Sequence, residues 1–537
     1  VRFNDERVAI ARRMRSGSRA AQALLARAQR YEALGRVALA RRDANAAADT
    51  FSDSVARAWI DAERHIARGR ETIVSSPAQA IAEFDAVLRN RTGRATGYRV
   101  VQALLGRADA RLAADDVRRA EVDLDSAAGW ITRADAEIRR AGYRTSLLET
   151  ARGLFDRLVM LRLAQGDTAG ALCYLERGRV SFAPRRPEAT QRPQCAWAVP
   201  AGTVALDYAQ IGDTLLAWAL RPNGVRLVRQ TVPAAELAAI GEKARLRLEQ
   251  RQDAARIRPL LAWLFNRLVK PLDGSLGPRG TRLAVVADGA VPADLFHALF
   301  DASRGRYVVE DYVVADVPAL RDVHADRSRR RSNGPVLVAA DPAFDRAAYP
   351  GLDDLPGAEA EADSVERLYG GSVVTMRGAA VTPSAFATAL SRASIVHFAG
   401  HAEFDDQQPD ASVLVLARDG RRRGTLSAAE LAGKDLRGVR LVVLSACETL
   451  RSGTGRAGGF AGFTQALLGA GVGGVVGGSW KVDDALSRDL MIRFHREYRR
   501  TGDAAAALRQ AQLELLRSGD PAQATPSTWA AFRYAGN

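Results

Sequence analysis

The sequence predicts two architectures in series. An all-α arm of repeated helices covers residues 1–182, a Pro/Arg-rich linker covers 183–200, and an α/β domain covers 201–537, with a mostly parallel central sheet flanked by helices. Three observations carry this. Residues 1–182 are rich in Ala, Leu and Arg, almost free of Pro, and helical in period. Pro184, Pro187, Pro193 and Pro200 stand among Arg and Gln in a stretch that no helix crosses. From about residue 335 onward, short β-branched runs alternate with helical ones, which βαβ units around a parallel sheet accommodate most economically. At 537 residues the chain is too long for one core.

Composition narrows the function classes. The formal charge is +15, yet Lys occurs only at 243, 270, 434 and 481, so the basic residues are almost all Arg. They are spread along the helices and do not gather in one basic arm with aromatic residues between. A solvated, Arg-rich face is therefore expected ahead of a nucleic-acid surface. Cys173, Cys195 and Cys447 are too few, and odd in number, for a disulfide framework, which suits a reducing, cytoplasmic setting. No apolar run is long enough to span a bilayer, no signal peptide is visible, and no membrane partner is expected. The chain opens on Val1 rather than Met, which leaves an upstream segment open.

Within the arm one pattern recurs: a turn residue, Ala four later, and a large apolar residue four beyond that. It occurs as Asp43/Ala47/Phe51, Ser76/Ala80/Phe84, Asp116/Ala120/Leu124 and Asp167/Ala171/Leu175. Ala and its larger partner share a helix face, so a neighbouring helix can approach closely over the Ala. The intervals are 33, 40 and 51 residues, which resembles a degenerate tetratricopeptide (TPR) array. An irregular helical bundle is the alternative, and protein binding is the expected role of either. Cys173 is read here as a small core residue on a repeat helix, and Cys195 as an exposed linker residue without chemistry.

The α/β domain has a front half (201–334) and a second half (335–537). Strands are predicted at Thr203–Tyr208, Thr214–Leu220 and Val225–Gln230, the last two joined by the Asn223-Gly224 turn. Helices follow at about 234–250 and 253–270, then a strand with a turn at Arg282–Gly289, a strand at Pro335–Ala340, a helix from Leu355 to about Leu368, a strand at Ser372–Met376 and a helix at about 382–391. Asp326–Gly334 reads as a basic surface loop, with a self-cleavage site as a less expected role. Two apolar runs then end in reactive side chains: Ser394–His401 and Arg440–Cys447. Reactive groups sit just beyond the carboxyl ends of strands in open α/β sheets. If the two strands are neighbours, His401 and Cys447 face each other as a Cys/His nucleophile site.

The order strand, His, 46 residues, strand, Cys is that of caspases. The surrounding words resemble the CHAT family, a bacterial and eukaryotic branch of the caspase-like peptidases often fused to TPR arrays. They are Leu355–Glu361, His397–His401, Pro409, Ser412–Leu416, Leu444–Thr449, Gly477–Asp484 and Thr528–Phe532. The resemblance spans about 200–537. It implies an α/β caspase-like domain, cysteine endopeptidase activity on a protein substrate, and regulation by a protein activator bound to the TPR-like arm. It also implies a nucleophile at Cys447, a general base and acid at His401, and an oxyanion hole from the backbone N–H groups of Cys447 and Ala402. Family members usually carry Gly where this chain has Ala402, which would cost about 1 kcal/mol if the position needed a positive φ. Asp410, Ser412, Glu448, Gly453, Gly455 and Trp480 are candidates for the substrate groove, with Trp480 equally a core residue. A catalytically silent scaffold is the alternative to the peptidase, and the basic charge keeps a nucleic-acid complex as a weaker partner class.

Two motifs mislead. His397 and His401 have metal-ligand spacing, but zinc peptidases carry theirs on a helix with Glu after the first His, and here Phe398 follows in a strand. His397 is instead expected to support the sheet. Gly453–Gly458 matches G-x-G-x-x-G, but it starts six residues after Cys447 and not at the strand's end, so a groove-rimming loop is the better reading. Neither metal nor cofactor is expected. Asp483 and Asp484 are predicted to start and cap a helix to about Arg500, and helices at about 503–517 and 528–534 to pack the sheet.

Overall fold

A computed structural model describes residues 36–48, 54–89, 97–138, 144–182, 197–287, 290–324, 333–405, 408–420, 423–446, 449–450 and 462–536. It also describes Cys195 and a few positions between 20 and 31. The chain divides into two compact units, Val1–Ser181 and Phe182–Asn537.

The first unit is a succession of helices: Val37–Ala48, Ser54–Thr72, Pro77–Arg89, Gly97–Ala113, Val117–Ile138, Arg144–Ala164 and Thr168–Phe182. Consecutive helices pack on one another. The small residue of each repeated pattern, Ala47, Ala80, Ala120 and Ala171, is fully buried, and so are Phe84 and Leu124, while Phe51 lies outside the described residues. Close approach is visible at Phe84. A Cβ added at Gly69 or Gly106 would lie 2.7 or 2.2 Å from its ring, so both neighbouring helices come within contact only because they carry Gly there. Arg is absorbed between helices. Arg107 binds Asp123 through two nitrogens at 2.9 and 2.6 Å and also binds Asp85, while Arg111 reaches Asp123 at 2.7 Å.

The second unit is built on an eleven-stranded sheet. Its strands are β1 (Thr203–Ile211), β2 (Thr214–Arg221), β3 (Gly224–Thr231), β4 (Arg282–Ala287), β7 (Val313–Asp316), β8 (Val336–Pro342), β9 (Val373–Gly378), β10 (Ile395–Ala399), β14 (Leu441–Ser445), β15 (Gly474–Gly478) and β16 (Phe532–Gly536). The pair β5 (Phe300–Asp301) and β6 (Arg306–Tyr307) stands apart, as does a three-stranded sheet of β11 (His401–Glu403), β12 (Val413–Val415) and β13 (Thr425–Ser427). The large sheet runs β3-β2-β1-β4-β7-β16-β15-β14-β10-β8-β9. The block β1-β4-β7-β16 is parallel within itself, as is β15-β14-β10-β8-β9, and the two blocks meet antiparallel at β15/β16. Apolar residues fill both faces. Ile395 and Ala399 of β10 join one core with the helices Pro356–Tyr369, Asp484–Thr501 and Ala504–Leu516, and Val396 and Phe398 join the other with Pro383–Leu390 and Phe463–Gly469. This is an α/β domain with a mostly parallel central sheet.

Several expectations need correction. The chain after Thr528 is not a helix to residue 534. Pro526–Trp529 is one helical turn, and Phe532–Gly536 is a strand in the middle of the sheet, its alternating side chains buried on both faces. Gly474 makes room for it, since a Cβ there would lie 2.5 Å from the Tyr534 ring. Strand β7, between the predicted strands at 282 and 335, went unread because Val313–Asp316 is too short to show a period. Cys173 and Cys195 are each disulfide-bonded, so neither is the inert thiol expected, and the argument from unpaired cysteines for a reducing compartment loses its basis. Asp483 caps its helix at Ala485, but Asp484 reaches elsewhere and accepts from the Gly357 N–H. Among the described residues no helix is long and apolar enough to cross a membrane.

Candidate active site

Strands β10 and β14 are parallel neighbours, in register from Ile395↔Leu441 to Ala399↔Ser445. Both chains therefore leave the sheet at the same level. His401 lies two residues beyond one end of this pairing, and Cys447 is two residues beyond the other in sequence. The Gly400 N–H bonds back to the Ser445 carbonyl at 3.3 Å, tying the two exits together. A Cβ at Gly400 would stand 2.7 Å from Phe398 and 3.1 Å from Pro342, so this turn requires Gly. Cys447, Glu448, Gly453 and Gly455 lie outside the described residues.

His401 opens β11, which pairs antiparallel with β12 as His401↔Val415 and Ala402↔Leu414. Its Nε2 is 2.8 Å from the Asp353 carbonyl oxygen. That oxygen can only accept, so Nε2 carries the proton and Nδ1 of the neutral ring is left as the acceptor. Phe344 meets the ring edge-on at 5.2 Å between centroids, and Lys481 pairs with the Asp353 carboxylate at 3.6 Å. Backbone carbonyls leave no trace in residue type, so sequence reasoning missed Asp353. Ala402 is in extended strand backbone and is not one of the three positive-φ non-Gly residues among the described residues, so its side chain costs nothing there.

Asp341 does have a positive φ, 43°, at the carboxyl end of β8 where the register with β9 slips. Its carboxyl is pushed upward by burial and by Glu359 and Asp354, with His401 pulling the other way. Among the other groove candidates, Asp410 is exposed in the turn Pro409–Ala411. Ser412 is buried and its Oγ accepts from the Asp405 N–H at 3.1 Å. Trp480 is 2% exposed, and its indole N–H donates to the Ser527 carbonyl at 2.9 Å, which is a core position rather than a groove wall.

Beneath the site, His397 is wholly buried in β10. Its Nδ1 is 3.0 Å from His495 Nε2, whose Nδ1 is 3.2 Å from the Tyr369 hydroxyl. On the other side His397 Nε2 lies 2.9 Å from Glu361 Oε1, close but poorly aligned for a hydrogen bond. Burial, and then His397, hold His495 well below the ordinary histidine range, so it is neutral. The metal-like spacing of His397 and His401 thus resolves into one sheet-buried ring and one ring at the strand's exit. Among the described residues no group of three His, Cys, Asp or Glu could hold a metal ion.

A model of the CHAT domain matches residues 258–537, just over half of the chain. Among solved structures, the Saccharomyces cerevisiae separase–securin complex aligns with a TM-score of 0.52 at 9% identity, covering 99% of this chain and 48% of that one. The chain therefore spans about half the length of that structure, and the likeness speaks to the fold alone. The Arg-specific cysteine proteinase gingipain R aligns at a TM-score of 0.35 and 10% identity, over 56% of this chain and 74% of that one. The complex of Porphyromonas gingivalis RgpB pro- and mature domains gives 0.33 and 11%, over 56% and 75%. Comparison with curated proteins gives no match. With a family model covering more than half of its length, and with a caspase-like sheet carrying His401 at a strand exit, the chain belongs to the CHAT-domain family.

Proposed function

We propose that the chain is a cysteine endopeptidase acting on a protein substrate. The observation that carries this reading is the in-register end of β10 and β14, with His401 beyond one and Cys447 beyond the other. His401 Nδ1, left free by the Nε2–H bond to Asp353, takes the thiol proton of Cys447. The thiolate attacks the peptide carbonyl carbon, and backbone N–H groups of Cys447 and Ala402 receive the developing oxyanion, at about 2.7–4 kcal/mol for one such donor. The His401 imidazolium gives its proton to the departing amine, which leaves a thioester on Cys447. Water, deprotonated by His401, then hydrolyses the thioester and restores the thiol. Asp410, Ser412 and the Gly-rich stretch at 453–458 border the groove in this reading.

The helical arm, 1–182, is read as TPR-like, with the linker at 183–200 leading into the peptidase domain. Its role is to bind a protein activator. The buried Ala of each repeated pattern supports stacked helix pairs of this kind.

The test compares the protein with Cys447→Ala and His401→Ala, each incubated with lysate of its own host, and reads new N-termini by mass spectrometry. Termini that need both residues are expected, and their flanking residues give the specificity. A wild type that yields none, with candidate activators added, and whose Cys447 takes no thiol-reactive peptide probe, overturns the peptidase in favour of a silent scaffold.

A further inference from the structure

Three residues after Cys447 in sequence, the chain is seized from outside its own strand. Thr449 is buried, and its Oγ1 accepts from the Gly478 N–H at 3.1 Å while lying 3.4 Å from the carbonyls of Leu444 and Ala446. The Leu450 N–H donates to the Gly478 carbonyl at 2.9 Å. The Leu450 carbonyl in turn accepts from Arg533, through Nε at 3.0 Å and through Nη2. The same guanidinium donates from Nη1 to Asp316 Oδ2 at 2.8 Å. Both side chains of this ion pair are 3% exposed.

The topology explains how Arg533 gets there. Strand β16 runs antiparallel to β15, so Arg533 pairs with Gly477 at the edge where β14 and β15 end. Asp316 comes from β7, on the far side of β16. Gly477 has no side chain to obstruct the turn. A Cβ there would lie 2.6 Å from Thr449 Oγ1 and 2.8 Å from Leu450 Cδ1.

An ion pair in this position is a poor source of stability. Desolvation costs each charge several kcal/mol, and burial pushes the Asp316 carboxyl up to about 6 in spite of Arg533. What the guanidinium does supply is geometry: a planar fork with one arm on a fixed anion and two donors on one carbonyl. We propose that Arg533, anchored by Asp316, is a positioning residue that fixes the Leu450 carbonyl, three residues after Cys447 in sequence, and so supports the reactivity of that thiol. This rests on Cys447 being the nucleophile. The effect of Arg533 passes through Leu450 and is read in the thiolate character of Cys447.

The test uses the full chain and measures the rate of Cys447 alkylation by iodoacetamide from pH 5 to 9, beside thermal unfolding, in the wild type and in Arg533→Lys. Lysine keeps the charge opposite Asp316 and loses the fork. The expected result is alkylation about tenfold slower at pH 7, with the profile moved toward that of an ordinary thiol near 8.5, while the melting temperature stays close to wild type. Iodoacetamide reports the thiol whether or not any peptide is cut. Absence of proteolysis with candidate activators added, together with no labelling by the peptide probe, therefore overturns the peptidase reading, and superimposable alkylation profiles overturn the role of Arg533. If Arg533→Lys does not fold, Gly477→Ala decides the question, since its Cβ displaces Thr449 and Leu450 while the ion pair stays intact. The same shift supports the proposal, and an unchanged profile refutes it.

Discussion

Replacing His397 by Leu should unfold the second unit far more readily than its small change in volume suggests. The imidazole lies in the sheet with no exposure, between His495 at 3.0 Å and Glu361 at 2.9 Å. With His495 neutral, a consistent chain runs from the Tyr369 O–H to His495 Nδ1 and from the His495 Nε2–H to His397 Nδ1, leaving the His397 Nε2–H toward Glu361. Leucine removes the group facing a carboxylate that is 1% exposed. Leaving one partner of a buried polar pair uncompensated costs about 3–5 kcal/mol. Replacing both partners by apolar residues of similar volume removes that charge, so Glu361→Met together with His397→Leu should recover most of the loss. Urea-dependent amide exchange of the β10 peptide measures the free energy of opening this strand in the full chain. Expected are a loss of about 3–5 kcal/mol in His397→Leu and substantial recovery in the double variant. Costs that simply add, with a coupling below about 0.5 kcal/mol, would refute the idea that Glu361 and His397 form one unit.

Three further outcomes follow from particular residues. Burial holds His297 down to about 4, against the pull of its Ala530 hydrogen bond, so the unfolded chain takes up this proton first as pH falls below 6.5. The associated stability is full above 6.5 and is lost down to about pH 4, roughly 3 kcal/mol in all. The stability difference between wild type and His297→Gln should change by that amount over this window, and a pH-independent difference would show that the ring does not titrate on unfolding. Phe84→Ala empties the space that Gly69 and Gly106 were shaped around and should cost the first unit about 3–5 kcal/mol, read from amide exchange of Pro77–Arg89; a loss below about 1 kcal/mol would mean the helices close over the gap. With Cys173 and Cys195 both disulfide-bonded, the thiol count of the denatured protein should rise by two per chain on reduction, whereas an unchanged count would contradict the bonded state.

The two strands that define the candidate site were legible because their signal is local. Ile395–Ala399 and Leu441–Ser445 are nearly continuous β-branched and apolar runs, as strands buried on both faces must be, and each ends in a small residue. The repeated Ala and large apolar pairs of the arm were legible for the same reason, since one helix turn separates them in sequence and in space. The word Leu355–Glu361 was visible as a helix start, though its Gly357 has a reason the sequence could not give: Asp484 occupies the space a side chain would need.

What only the tertiary structure decided is every contact that joins distant segments. Nothing near Phe532 in sequence says that it enters a sheet between β15 and β7, because that place is fixed by the gap those strands leave and by Gly474 beneath Tyr534. The tautomer of His401 depends on a backbone carbonyl 48 residues away, and every residue type offers the same carbonyl. Arg533 reads as one Arg among many until the fold sets it between Asp316 and Leu450. Local periodicity determined which segments are helices and strands and which two reactive side chains follow them. The order of strands, and hence the partners that hold those side chains in place, came from long-range packing that leaves no periodic trace.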